Sequence, residues 1–421
     1  MKLKHTAILA VLAIAGSAVS YASAALTFVS ETPAISAVGQ EFQILGRVVN
    51  ETDSEIEGFT LTLAVDGQEF TKEYLTRILA PGASADVTWR TDYTPGQGTD
   101  GFDYTIRLDS PSADSSEVQG TAYVRTRRWV VEERTGTWCA ACPWGIYVFE
   151  RMSEKMGDEF IGIALHTYGN DPMGTPEWQL SAFTTDETAP YTLINRTHGC
   201  HPRDLEQELE KMSRRVLRGS VEEASCSLDS DSRRLSVDTR VMFDSDYDSS
   251  SSDLRIGYYI IENDVNVDSH EYAQKNGFSG TGQVPGWGDK PALIDGKDMW
   301  HQHVGRGFSQ DVRGVPGSVP AEVKGGQVYG FSHTFALPDN ILNVKNCRLV
   351  IMLLDARSGN VLNGLELPLD GAYTDVRTPG ADENAAPVYY DLMGRRVSNG
   401  NICPGIYIEV KGDNVRKVTV K

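Results

Sequence analysis

The feature that most constrains this chain is a cysteine-bearing turn between a strand and a helix. Residues 127–133, RRWVVEE, predict a β-strand, and the turn TGTWCAACP follows at once. A helix is predicted from Pro143, since proline suits the first helical position and the apolar residues beyond it share one face. A sulfur at a helix N-terminus is favoured as thiolate, the form that attacks disulfides. The pattern therefore predicts Cys139 as the nucleophile and Cys142 as the resolving thiol.

Strands and helices alternate over residues 125–218. Beyond the turn, a buried strand is predicted at 159–166 and a further strand at 191–195. Leu205 and Leu209 belong to an amphipathic helix, because their spacing puts them on one face. Such alternation predicts an α/β domain.

Three quoted segments carry a resemblance to a known family. EERTGTWCAACPWG, APYTLINR and VIMLLDARSGNVLNGLEL resemble the thioredoxin-like domain and the following β domain of an exported outer-membrane-protein family of Bacteroidetes. The resemblance implies that Glu133 is a buried carboxylate moving the proton of the resolving cysteine, and that Pro190 is in cis beside the peptide-binding edge. Trp138 is expected to shield the sulfurs. Glu132 should point to the opposite face of its strand, and Arg134 stands where the family has an aromatic residue.

A structural disulfide and a metal site are the alternatives for the cysteine turn. The pair could be a permanently oxidised structural disulfide. Zinc would require two further ligands, and the candidate pair lies in His198-Gly-Cys200-His201, a stretch expected in a loop before the last helix. His301 and His303 are expected to be exposed strand or loop residues. No metal and no other cofactor is predicted.

Four more cysteines and one acidic stretch indicate their structure or function less clearly. Cys200, Cys226, Cys347 and Cys403 allow three pairings, among which the sequence does not choose. Cys226 and Cys347 both fall on predicted strands of one domain, where a structural disulfide is an option, and the other two are candidate free thiols or shuttle partners. Residues 244–248, DSDYD, begin like a calcium loop but lack the later glycine and glutamate, so a solvated hairpin loop is expected.

The remaining segments predict a multidomain α+β protein. Short alternating strands between turn signals predict an immunoglobulin-like β-sandwich over residues 25–124. A second β-sandwich-like domain is expected at 219–370 and a linker at 371–386. Residues 387–421 form a short β tail that resembles the sorting domains of type IX secretion in Bacteroidetes. A terminal hairpin packed on the preceding domain is the alternative for this tail.

The chain begins with the features of an export signal. Residues 1–24 combine a basic start, an apolar run too short to span a bilayer, and an Ala-Ser-Ala cleavage pattern. No later stretch predicts a transmembrane helix, so an exported protein of the outer membrane, cell surface or periplasm is expected. The net charge of −19 argues against nucleic acid and against anionic membrane surfaces.

Export places the cysteine pair in an oxidising compartment. The leading prediction is an exported thiol–disulfide oxidoreductase that acts on thiols or disulfides of cell-envelope or extracellular proteins. The alternative is a non-catalytic surface binding or adhesion protein that retains a thioredoxin fold as scaffold. An exposed Cys139 sulfur would favour catalysis, and a dithiol buried under the preceding sandwich would favour the alternative.

Overall fold

The computed structural model describes most of the chain beyond the predicted signal peptide. The described residues are 25–96, 98–167, 170–374, 388–390, 396–397, 405–411 and 414–420. β-strands dominate this part of the molecule, and residues 1–24 lie outside it. None of the helices in these ranges is long and apolar enough to cross a membrane.

Two sheets packed face to face form the first part of the described chain. Their strands are β1 (Leu26–Ser30), β2 (Ile35–Ala37), β3 (Gln43–Asn50), β4 (Ile56–Val65), β5 (Gln68–Leu79), β6 (Ser84–Arg90), β7 (Gly101–Ser110) and β8 (Ala113–Arg125). The strand orders are β1-β3-β6 and β2-β8-β7-β4-β5. Alternating burial gives strands such as β6 one apolar face. These faces enclose one core, which includes Ile44, Leu61 and Ile106.

The cysteine turn belongs to the next part of the chain. Its elements are β9 (Trp129–Thr135), α1 (Pro143–Met156), β10 (Phe160–His166), β11 (Tyr191–Ile194), β12 (His198–Cys200) and α2 (Leu205–Ser213). β9 and β10 are parallel and buried along their whole length, as strands covered on both faces should be. The prediction of a loop at His198-Gly-Cys200 is wrong, because these residues pair with β11.

The following strands build the rest of the molecule's core. They are β13 (Gly219–Asp229), β14 (Arg234–Phe243), β15 (Leu254–Glu262), β16 (Gln274–Lys275), β17 (Leu293–Ile294), β18 (Val304–Phe308), β19 (Val328–Ala336), β20 (Cys347–Asp355), β21 (Val361–Pro368) and β22 (Gly371–Thr374). Four of them join the strands around the turn in one sheet of order β12-β11-β9-β10-β18-β15-β20-β21. The boundary expected at residue 218 is therefore crossed by a continuous eight-stranded sheet.

Both faces of this eight-stranded sheet are covered. On one face, α1 and α2 pack against β9 and β10, and a sheet of order β19-β14-β13-β22 packs against β15 and β20. On the opposite face, Trp178 and Leu180 contact Val130, Ile161 and Tyr259. The two halves thus share hydrophobic contacts as well as backbone hydrogen bonds.

The C-terminal segment is described only in part. Its strands are β23 (Val388–Tyr390), β24 (Arg396–Val397), β25 (Gly405–Lys411) and β26 (Asn414–Val420), in the order β24-β23-β25-β26. The stretch predicted as a linker, 371–386, begins instead with β22, which pairs with β13. Its remainder lies outside the described residues.

Candidate redox site

The cysteine pair lies at the junction of β9 and α1. Cys139 and Cys142 form a disulfide with their Cα atoms 5.4 Å apart. Cys142 precedes the helix, and its carbonyl oxygen accepts a hydrogen bond of 2.9 Å from the backbone N–H of Gly145. Pro143 occupies the first turn, where no intrahelical N–H bond is needed. The sequence therefore folds locally as the strand–turn–helix pattern predicted.

The disulfide is shielded from solvent. Cys139 is 4% exposed and Cys142 is fully buried. Trp138 is 38% exposed, and its indole N–H donates a 2.7 Å hydrogen bond to the carbonyl of Thr167. The indole is thus held at the surface, next to Cys139 in the chain.

Residues 274–278, QKNGF, lie across the turn, and we call them the strap. The backbone N–H of Lys275 donates to the carbonyl oxygen of Thr137 at 2.9 Å, and that of Gly277 donates to the carbonyl oxygen of Ala140 at 2.8 Å. The strap belongs to the glycine-rich stretch between β15 and β18, which has little periodicity in the sequence. This stretch, and not the preceding sandwich, pairs with the dithiol turn.

Side chains add to the contact between strap and turn. The Gln274 amide donates to the carbonyl oxygens of Cys139 at 3.1 Å and Gly136 at 3.4 Å. The Phe278 ring packs edge-on against Trp144 of α1, with the ring centroids 6.2 Å apart. The strap therefore contacts both the turn and the helix that follows it.

Adjacent glutamates on β9 lie in opposite environments. Glu132 is buried in an ion pair with Arg196 at 2.7 Å and accepts a 2.8 Å hydrogen bond from Trp178. Glu133 is 1% exposed, and within the described residues its Oε1 atom has no hydrogen-bond partner. Burial raises the pKa of the Glu133 carboxyl well above its ordinary value. Glu133 therefore holds its proton to a higher pH than an exposed glutamate does.

Glu133 lies directly beneath the start of α1. A Cβ atom placed on Gly145 would be 1.7 Å from Glu133 Oε1, so no larger residue fits there without a shift. Gly145 is three residues beyond Cys142 and hydrogen-bonded to its carbonyl. The buried carboxyl therefore lies under the helical turn that starts at the resolving cysteine.

A small cavity of about 20 Å³ adjoins Glu133. That volume is about enough for one water molecule. His303 Nδ1, like Glu133 Oε1, is buried without a hydrogen-bond partner in the described part of the chain. Polar residues around this cavity include Glu133, Thr135, His166, Gln274, His301 and His303. The cavity provides a polar space next to the carboxyl.

The histidines of this cavity were not expected to be buried. Burial lowers the pKa of both His301 and His303 to about 4. The carbonyl of His303 accepts a 2.7 Å hydrogen bond from Ala164 of β10, which draws the glycine-rich stretch onto the sheet. The prediction of exposed histidines is wrong, because that stretch folds back over the site.

Asp171 ties the turn to the loop after β10. Its carboxylate accepts hydrogen bonds from the backbone of Thr137 at 2.7 Å and of Met173 at 3.0 Å, and lies 3.1 Å from His166 Nδ1. Burial opposes ionisation, but these hydrogen bonds outweigh it and lower the pKa of Asp171 to about 2. No sequence pattern indicated the contact between Asp171 and Thr137, because the two residues are 34 apart in the chain.

The peptide bond that precedes Pro190 is cis. The next residue, Tyr191, pairs with Arg134 of β9, so Pro190 lies at the end of β9 that leads into the turn. The buried Arg134 guanidinium donates to the carbonyl oxygens of Asp186 and Thr188. The residue that replaces an aromatic side chain in the family pattern thus anchors the segment that leads to Pro190.

The described cysteines outside the turn are not disulfide-bonded. Cys200, Cys226 and Cys347 are free thiols, so the option of a Cys226–Cys347 disulfide is wrong. The Cys226 thiol donates instead to the carbonyl oxygen of Pro368 at 3.1 Å. Cys403 lies outside the described residues.

The other candidate ligands have different partners. In the described part of the chain, no group of three or more His, Cys, Asp and Glu side chains is placed to hold a metal ion. His198 Nε2 lies 2.9 Å from the Glu208 carboxylate. His201 Nδ1 accepts a hydrogen bond from the backbone of Arg203 at 3.1 Å. These two histidines are therefore used in contacts around α2.

The acidic stretch 244–248 is only partly solvated. Asp244 is buried and accepts a 2.7 Å hydrogen bond from the Tyr247 hydroxyl, which corrects the expectation of a solvated loop at this residue. Asp246 forms an exposed ion pair with Lys324 at 2.6 Å. Both carboxylates thus have protein partners.

The sequence profile of the outer membrane protein Omp28 family matches residues 179–366. The matched stretch begins after the dithiol turn and ends in β21. In agreement with this family, the protein is exported and lies in the outer membrane, at the cell surface or in the periplasm. No curated protein sequence matches the chain.

Several solved structures are similar in part. HBP35 of Porphyromonas gingivalis aligns with a TM-score of 0.43 and 14% identity, over 70% of this chain and 97% of that chain. A protein from Agrobacterium tumefaciens has a TM-score of 0.34 and 15% identity, over 57% of this chain and 94% of its own. Red sea bream transglutaminase has a TM-score of 0.20 and 8% identity, over 83% and 30% of the two chains. These similarities are too weak to carry an argument about fold or function.

Proposed function

We propose that the protein is an exported thiol–disulfide oxidoreductase with a thioredoxin-like site. Its substrates are thiols or disulfides of cell-envelope or extracellular proteins, and nucleic acid is not a partner. The observation that carries the proposal is a disulfide at the start of α1 above a buried carboxyl whose Oε1 has no partner in the described residues. A structural disulfide has no need of such an acid, whereas a resolving thiol needs a group that takes its proton.

The reaction runs through a mixed disulfide. In the reducing direction, the Cys139 thiolate attacks one sulfur of a target disulfide, and the other target sulfur leaves as a thiolate. Glu133 takes the proton of Cys142, and the Cys142 thiolate attacks the Cys139 sulfur of the mixed disulfide. The second target thiolate leaves, the Cys139–Cys142 disulfide closes, and two electrons have passed to the target. Oxidation of a target is the reverse sequence.

Two further residues shape the approach of the target. Pro190 lies at the end of β9 from which the turn departs, where it borders the edge that receives the target peptide. Trp138 offers an exposed apolar surface beside Cys139. These residues position the target, and the sulfurs carry the chemistry.

The remaining parts of the chain serve presentation and transport. We propose an immunoglobulin-like module at 25–124, a thioredoxin-like unit at 125–218 and a β-sandwich-like unit at 219–370. Residues 1–24 are proposed as a signal peptide, and 387–421 as a tail for type IX secretion. The protein is then associated with the cell envelope without a transmembrane helix.

A second candidate function follows from the low exposure of Cys139. A non-catalytic surface binding or adhesion protein would keep the disulfide as a permanent structural bond on a thioredoxin-like scaffold. In that case the sulfurs of Cys139 and Cys142 would not react with another protein. Reactivity of Cys139 separates the two candidates.

Cysteine substitution tests the proposed function. With dithiothreitol as electron donor, the full chain should accelerate reduction of the insulin disulfides. Cys139→Ser should abolish the acceleration. Cys142→Ser, reduced and then freed of dithiothreitol before insulin is added, should accumulate a mixed disulfide that non-reducing denaturing electrophoresis detects. Cys200→Ser, at a half-buried free thiol, is the matched control and should retain the activity. Equal activity of Cys139→Ser and the wild-type chain would rule the function out.

A further inference from the structure

The strap donates two backbone hydrogen bonds to the dithiol turn. Its two backbone N–H donors, on Lys275 and Gly277, are two residues apart and bond to the carbonyls of Thr137 and Ala140. Backbone hydrogen bonds also hold extended peptides on the proteins that bind them, and their side chains give specificity. Residues 274–278 therefore offer the turn the contacts that a bound peptide would make.

We propose that the strap lies where a substrate segment binds to the turn. It thereby determines which proteins react with the dithiol. Under this proposal, which rests on the function proposed above, the substrate is an extended peptide segment next to a cysteine. It must present N–H donors two residues apart to the carbonyls of Thr137 and Ala140. A hydrogen-bond donor in the position of the Gln274 amide would satisfy the Cys139 carbonyl.

The position of Gly277 is sterically selective. A Cβ atom there would be 2.9 Å from the carbonyl oxygen of Ala140 and 3.3 Å from its Cβ. Cβ atoms do not approach backbone oxygen so closely, so any side chain at this position would push the segment away from the turn. Substrate segments with glycine at the matching position are therefore preferred.

The middle of the strap is also bound to the rest of its own stretch. The backbone N–H of Asn276 donates to the carbonyl of Ala292 at 2.8 Å, and its amide donates to that of Trp287 at 3.0 Å. Trp287 belongs to a buried cluster with Val284, Ile294 and Met299. Contact with the turn consists mainly of a few hydrogen bonds, which have modest net strength each. The strap can thus leave the turn together with the cluster to which Asn276 binds it, as lids do.

A pair of glycine substitutions tests this arrangement in the full-length chain. Gly277→Val should displace the strap, whereas Gly282→Val, whose Cβ would have nothing within 4 Å, is the matched control. The measurement is the rate at which dithiothreitol reduces the Cys139–Cys142 disulfide, followed by alkylation of the released thiols. Gly277→Val should raise this rate by about tenfold or more, and the control should stay within about twofold of wild type, as expected when local opening limits access. Equal rates in all three chains would overturn the proposal.

A peptide probe tests whether a separate peptide binds to the part of the turn that the strap contacts. The synthetic heptapeptide YAQKNGF, which copies residues 272–278, should slow reduction of the Gly277→Val chain toward the wild-type rate. The same peptide with valine in place of its glycine should have no effect. If neither peptide slows reduction, the strap is only a cover, and the assignment of a substrate place is overturned.

Two further readouts keep the test decisive. If Gly277→Val loses its near-ultraviolet circular dichroism, Gln274→Ala replaces it, because that change removes the bonds to the Cys139 and Gly136 carbonyls without a clash. A folded Gln274→Ala chain with an unchanged rate then rejects the proposal. Faster reduction of Gly277→Val without insulin reduction by any of the chains would reject the oxidoreductase function and retain the strap as a cover over a structural disulfide.

Discussion

Glu133 is a carboxyl group whose environment sets its protonation. Burial raises its pKa well above the ordinary 4.5, so at a given pH above 4.5 the carboxyl is protonated in a larger fraction of folded than of unfolded molecules. Stability from this difference is complete below about pH 4.5 and is lost as the pH rises toward the folded-state pKa. At neutral pH the acid therefore costs stability.

Glu133→Gln should stabilise the protein more at high pH than at low pH. The amide cannot ionise, so its advantage over the acid at pH 8 should exceed that at pH 4 by about 1–3 kcal/mol, the usual range for a buried unsatisfied group. Urea unfolding at the two pH values measures this difference. Glu132→Gln is the control and should destabilise the protein, because it leaves Arg196 buried without its full partner. A pH-independent effect of Glu133→Gln would contradict the assignment.

The sequence located some residues of the site and missed others. Glu133 could be placed because strand alternation separates it from Glu132, and because the family pattern puts an acid at that distance from the turn. Gln274, His301 and His303 could not be placed, because Gln274 contacts Cys139, and the two histidines line the cavity beside Glu133, from more than 130 residues away in the chain. Local patterns carry no information on such contacts.

Helix α1 depends on a close approach to β9. Gly145 faces the Glu133 carboxyl, and a Cβ atom there would be 1.7 Å from Oε1. In an isolated helix, alanine would be favoured over glycine by about 1 kcal/mol. At position 145 the steric contact with the Glu133 carboxyl should outweigh the helical preference for alanine.

Gly145→Ala should therefore destabilise the protein by about 1–3 kcal/mol, the usual cost of overpacking a core. Adding Glu133→Ala to Gly145→Ala should recover part of the loss, because it removes the atoms that the new methyl group contacts. Midpoints of urea unfolding for the single and double variants measure the coupling. Gly282→Ala, at an open position, should change little. A Gly145→Ala chain as stable as wild type would show that the helix does not rest on the acid.

At the scale of elements, periodic segments were predictable and the strap was not. β9, α1 and β10 carry clear strand and helix patterns, and the structure has all three. The stretch between β15 and β18 is rich in glycine and forms mostly turns around the short β16–β17 pair. Its conformation comes from packing on α1 and from hydrogen bonds to the turn, so no local rule could predict it.

The whole molecule is built around a sheet shared by two segments. β10 pairs with β18, and Val130 and Ile161 of the first segment pack with Tyr259 and Met352 of the second. The predicted helices stop near residue 218, which is why a domain boundary was expected there. The pairing of β10 with β18 joins residues far apart in the chain. A change from helical to strand patterns along the sequence does not indicate such pairing.

This shared sheet predicts how fragments of the protein behave. Residues 125–218 alone should not fold cooperatively, because β10 would lose its neighbour and the core would lose one side. Residues 125–370 should fold, since they contain every strand of the eight-stranded sheet. Circular dichroism with thermal unfolding distinguishes the two fragments. A sharp unfolding transition for 125–218 would mean that this segment is an independent domain.

An oxidoreductase must exchange its Cys139–Cys142 disulfide with its substrates. The reduction potential of this disulfide, measured by thiol trapping in defined glutathione buffers, shows whether it can do so. We expect a value between about −120 and −270 mV, the range of catalytic dithiols. A bond that stays oxidised below about −300 mV would be a structural disulfide. The protein would then be a non-catalytic surface protein and not an oxidoreductase.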